Sequence, residues 1–132
     1  MQSGRIAWNG ISLDPGERPL RLLDRNTLVL GDGTDAVQLR WKRVPGRFRP
    51  EKHVRKLSRG KARAEARDET TPHGFHVTDF HGENLEGCVL YHKGTNLIVE
   101  LQCAPDSPGK ETLVASLATT AGATPCRGRR SA

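Results

Sequence analysis

Aromatic residues are scarce in this chain, six in 132 positions, and cysteines number three. So few aromatics, with no run of the ribonucleoprotein type, argue against sequence-specific base recognition through a stacking sheet. Cys88, Cys103 and Cys126 are odd in number, widely spaced and form no C-x-x-C pair, which excludes a disulfide framework and leads us to expect free thiols in a reducing compartment. No apolar run approaches the roughly 20 residues that cross a bilayer as a helix. The start, "MQSGRIAWNG", has no charged segment followed by an apolar one, so we expect a cytoplasmic protein without a membrane partner.

Catalytic and cofactor signatures are also missing. "LVLGDG" has neither G-x-G-x-x-G nor a Walker lysine, and "GDGTD" lacks the glutamate that would complete a calcium loop and is explained as a turn. No G-x-S-x-G or Cys-His family motif sets a nucleophile beside a base, so we expect a non-enzymatic chain with no cofactor.

What the chain does contain is an uneven charge. Its 21 Lys and Arg against 15 Asp and Glu give a formal +6. Twelve of the basic residues and only two acidic ones fall between Arg40 and Arg67, a local +10 that leaves the remainder at −4. A mildly acidic body with one intensely basic segment suits a polyanionic partner.

Hydrophobic patterning predicts the architecture. "RIAWNGISLDP" places apolar residues on both sides of Asn9-Gly10, a hairpin turn that pairs Trp8 with Ile11 and Ile6 with Leu13. Leu20 to Leu23 is a further short strand. "TLVLGDGTDAVQLRW" is a second hairpin in which Val37, Leu39 and Trp41 alternate against Gln38 and Arg40. "GCVLYHKGTNLIVELQC" is a third, with Cys88, Leu90 and His92 facing Val99, Leu101 and Leu97 across a Gly94-Thr95 turn of type II′. Between the second and third hairpins, Pro50 suits a first helical turn, and the spacing predicts a helix from Glu51 to Arg67. Val54, Leu57 and Ala64 share one side of it, and Gly60 marks where a kink or early stop would fall. "DETTPHGFHV" reads as a loop and "KETLVASLA" as a short closing helix.

The predicted class is α+β: a mostly antiparallel sheet of hairpins packed by one long basic helix and a short C-terminal helix. Residues 1–120 form one domain, and 121–132 a disordered basic tail. The "W-N-G-I-S-L-D-P" opening, the strand ending "L-R-W" before a helix and the later hairpin leading to a short helix resemble, in element order over residues 5 to 118, the PsbP-like fold. That fold is shared by the photosystem II extrinsic subunit PsbP and a Ran-binding nuclear import factor. The resemblance implies a non-enzymatic binding protein.

Three candidate functions follow. Lys52, Arg55, Lys56, Arg59, Arg63 and Arg67 cluster within roughly a third of the predicted helix circumference. Like charges four apart repel. A polyanion, above all nucleic-acid backbone bound without sequence readout, would relieve that repulsion. Phe48, between Arg47 and Arg49, would add a stacking surface. The competing reading is a solvated helix face in an arginine-rich chain, partly offset by a Glu51–Arg55 pair. The second candidate is docking of an acidic protein surface by the same helix. The third is metal binding around His73, His76 and His81, with Cys88 and His92 after them, although their spacing fits no zinc motif. Trp8, Trp41, Cys88 and Cys103 read as core or core-edge residues.

Overall fold

From Val37 to Arg43 the chain alternates apolar and polar side chains, and the computed structural model makes this segment a strand of a seven-stranded antiparallel sheet. The structure describes residues 6–8, 10–16, 18–31, 36–44, 47–83, 86–104 and 110–119. Asn9, most of the "GDGTD" turn, Cys126 and the expected tail at 121–132 lie outside them.

In chain order the elements are β1 (Ile6–Trp8), β2 (Ile11–Leu13), β3 (Leu20–Asp24), β4 (Thr27–Leu30), β5 (Val37–Arg43), α1 (Pro50–Ser58), β6 (Arg63–Ala66), β7 (His76–His81), β8 (Glu86–His92), β9 (Leu97–Cys103), α2 (Lys110–Ser116) and β10 (Ala118–Thr119). The large sheet runs β3-β4-β5-β9-β8-β7-β6, and β1-β2-β10 form a small second sheet. The fold is therefore α+β and mostly antiparallel, with two short helices.

Three hairpins form where the sequence reading places them, the first with the expected register. Trp8 pairs with Ile11 and Ile6 with Leu13, and Gly10 takes φ 87 in the connecting turn. Leu28 pairs with Leu39, and Leu30 with Val37. Cys88, Leu90 and His92 pair with Leu101, Val99 and Leu97. The last turn differs from expectation: the left-handed residue is Asn96 (φ 56), not Gly94, and four residues rather than two connect the strands.

The predicted 17-residue basic helix is not formed. Helix α1 stops at Ser58, because Arg59 and Gly60 both adopt positive φ (57 and 80) and the Gly60 N–H donates back to the Arg55 carbonyl at 2.8 Å. This left-handed pair satisfies the terminal carbonyls that a longer helix would have used internally. The Ser58 hydroxyl donates to the Val54 carbonyl and accepts from the Ala62 N–H, which ties the helix end to the strand that follows. "RAEA" then becomes β6, because the edge of β7 offers it a ladder. Residues 76–81, expected to begin in a loop, form the strand β7 that links that edge to β8.

The two faces of the sheet carry different cores. On one, Leu28, Leu39, Leu90, Val99 and Leu101 pack with Ile11 and Leu13 of the small sheet, Leu113 and Val114 of α2, and Leu117 just after it. On the other, Val54 of α1 packs on Phe80, Val89 and Ile98. Gly87 is obligatory beneath this second core, since a Cβ there would stand 1.8 Å from the Leu101 carbonyl oxygen and 2.8 Å from the Phe80 ring. Edge strand β3 leaves Leu20, Leu22 and Leu23 exposed.

Candidate polyanion-binding surface

Helix α1 lies on the sheet through Val54, with Leu57 and buried Ser58 beside it. At 3.6 residues per turn this sends Lys52, Arg55, Lys56 and the capping Arg59 to the opposite side, where all four are exposed. Among the described residues none of the four is in an ion pair, and the expected Glu51–Arg55 pair is not formed. Strand β5 adds two cations on the same side of the sheet. Arg40 pairs across the ladder with Glu100, and Lys42 with Ile98, a member of the α1 core. Both are exposed. Sequence alternation already separated Arg40 from the inward Val37, Leu39 and Trp41, but which face α1 would cover was not written there.

Two of the six expected residues lie elsewhere. Arg63 begins β6, paired with His81, and strand alternation puts it on the face opposite Ala64 and the α1 core. Arg67 follows β6 and is consumed internally. Its guanidinium donates two hydrogen bonds to Asp79, at 2.7 and 2.9 Å, and two to Glu111 of α2, at 2.9 and 2.8 Å. Lys110 Nζ lies 3.6 Å from the same Asp79. Burial pushes the Asp79 carboxyl up, but the Arg67 hydrogen bond and the Arg67 and Lys110 charges outweigh it, and the net shift is downward.

Beneath α1 sits a feature with no sequence signal. His53 Nε2 is hydrogen-bonded to Oε2 of Glu100, whose side chain is only 3% exposed, while Glu100 Oε1 has no partner among the described residues. Burial raises the Glu100 carboxyl; the His53 hydrogen bond and charge, then Lys42 and Arg40, outweigh it and hold the group below its ordinary value. Phe48, expected as a free stacking surface, is part of this packing. Its ring meets His53 edge-on at 5.4 Å and Tyr91 at 5.0 Å.

The histidines are dispersed. His76 and His81 end β7 on opposite faces; His81 contacts Glu86, and His92 contacts Thr95 and packs on Phe75. Burial pushes the Cys88 thiol up to about 12. Among the described residues no three His, Cys, Asp or Glu side chains are grouped to hold a metal ion. Trp41 is partly buried, with Arg43 over its ring at 5.9 Å. Among the described residues no helix is long and apolar enough to cross a membrane.

At the N-terminal end of α1 an open groove of about 770 Å³ lies between the helix, the β6–β8 strands and the 93–96 turn. Scans of protein-family models, curated proteins and solved structures yield no match to the chain.

Proposed function

We propose that this chain is a non-enzymatic binding domain whose α1 surface holds a polyanion, foremost nucleic-acid backbone, without reading sequence. The observation that carries the reading is the row Lys52, Arg55, Lys56 and Arg59, exposed together with no carboxylate partner among the described residues. Like charges at this spacing cost a few tenths of a kcal/mol per pair. Phosphates remove that cost and release counterions as they bind. Arg forks match phosphate oxygens without needing a base edge. Arg40 and Lys42 extend the field across the sheet beside α1.

The test is fluorescence anisotropy with labelled mixed-sequence RNA and DNA at low and near-physiological salt, comparing the protein with R55E/K56E/R59E. All three changed side chains are exposed, so the variant keeps the α1 core. Micromolar or tighter binding that the triple reversal abolishes is the expected result. Retained affinity in the folded variant overturns the assignment. Absence of binding even at low salt would transfer the surface to an acidic protein partner, the kind of docking that the PsbP-like resemblance implies.

A further inference from the structure

The groove beside α1 has a composition of its own. Tyr91 and Phe48, with ring centroids 5.0 Å apart, both border it, so it has an aromatic wall. The Tyr91 hydroxyl donates to Asn96 Oδ1 at 3.4 Å, which orients the ring against the 93–96 turn. Arg47 and Lys93 line it as well, both exposed and neither in an ion pair among the described residues. Glu51 is the sole carboxylate of the lining, and Arg67, which also reaches it, is committed to Asp79 and Glu111. The volume falls within the range of roughly 300–1,000 Å³ typical of small-molecule clefts.

An aromatic face at Tyr91 with two uncommitted cations in the same lining suits a ligand that is planar at one end and anionic at the other. We propose that the groove seats one unpaired nucleotide, its base against Tyr91, which Phe48 backs from the core side, and its phosphate near Arg47 and Lys93. Pro50 and Glu51 at the start of α1 line the groove, so a strand seated in it lies one helical turn from the row Lys52 to Arg59. The inference rests on the proposed function for that outer strand, while nucleotide capture in the groove is separable from it. Base stacking on an aromatic side chain is sequence-tolerant, which agrees with a surface that does not read bases.

Two measurements on the intact chain test this. The first compares anisotropy-derived affinities for a single-stranded oligonucleotide and the matching duplex in the protein, in Y91L, in K93E and in R55E/K56E/R59E. The second follows backbone amide NMR shifts on titration with adenosine monophosphate and, separately, inorganic phosphate. We expect the single strand to bind about tenfold more tightly than the duplex, and Y91L to remove that preference while sparing duplex affinity. Because Tyr91 also packs in the α1 core, K93E supplies a fold-neutral check: it should weaken the nucleotide shifts around Tyr91 and the 93–96 turn. The groove assignment is overturned if single strand and duplex bind equally, if phosphate alone reproduces the nucleotide shifts, or if neither shifts these amides. Equal binding that R55E/K56E/R59E still abolishes would leave the α1 reading standing alone. Nucleotide shifts in the groove without binding of either polynucleotide would retain the groove and remove the α1 reading.

Discussion

His53 on α1 reaches 47 residues along the chain to the buried carboxylate of Glu100 on the central strand β9, and this bond anchors the basic helix to the sheet. Removing the imidazole strands a buried carboxylate whose other oxygen is already unpartnered. His53→Ala should therefore cost about 1–3 kcal/mol at pH 7, the scale for leaving a buried polar group without its hydrogen-bond partner. The pH dependence follows from the lowered Glu100 value. A depressed carboxylate stabilises the fold above its unfolded pKa of about 4.3, and that contribution disappears as pH falls through the lower folded value. Urea unfolding at pH 7 and at pH 3 should show the gap between the protein and His53→Ala narrowing in acid. Glu100→Gln should flatten the acid limb of the profile, and an unchanged acid limb would refute the anchor.

Arg67 is held by two carboxylates, so we expect its loss to be felt in stability before binding. Its fork joins β7 to α2 through Asp79 and Glu111, and with the group about a third exposed its loss should cost about 1–2 kcal/mol after allowance for solvent screening. That is a fall of roughly 4–7 °C in Tm for a domain of this size. Arg67→Met should show that fall in calorimetry while leaving polynucleotide affinity unchanged; a binding defect without a stability defect would return Arg67 to the ligand surface. Lys at this position cannot donate two parallel bonds to each carboxylate and should rescue only part of the loss.

Gly87 gives the largest expected effect of a single added methyl. The clash is with backbone, the Leu101 carbonyl, so no side-chain rotation relieves it. Both β8–β9 pairing and the Phe80–Val89–Ile98 core must shift to admit Ala, costing about 3 kcal/mol or more. Circular dichroism melting of Gly87→Ala should show a large fall in Tm or no folded baseline, whereas a native-like melt would contradict the packing described for β8.

The parts of this fold that were legible in the sequence are those where local pattern and tertiary environment agree. The β8–β9 register follows from the short turn around Gly94-Thr95, which brings Cys88, Leu90, Val99 and Leu101 to one core. Strand β6 was illegible for the converse reason: "RAEA" has strong helix formers, and the free edge of β7 overrides their preference. Arg59 and Gly60 held the better clue, since a glycine followed by a change of period ends a helix more often than it kinks one. For the site, the cations of α1 could be counted from the sequence, but their partners could not. Arg67 looked like its neighbours until Asp79 and Glu111, 12 and 44 residues away, claimed its guanidinium. The anchor beneath the helix was equally hidden, because neither His53 nor Glu100 has a local feature that points to the other.

Salt dependence offers a count of the cations at work. If Lys52, Arg55, Lys56 and Arg59 each neutralise one phosphate of a single strand, log affinity should fall against log salt concentration with a slope of about −3. The triple reversal R55E/K56E/R59E leaves Lys52 from that row, so any residual binding should show a slope near −1. Arg63→Glu, on the opposite side of the sheet edge, should leave the slope within about half a unit of the unaltered protein. A slope that drops as much for Arg63→Glu as for Arg59→Glu would place the contact along the β6 edge rather than on α1. Slopes are the decisive quantity here because a variant that merely loses folded protein lowers the signal at every salt concentration alike, whereas the loss of a phosphate contact changes the gradient itself.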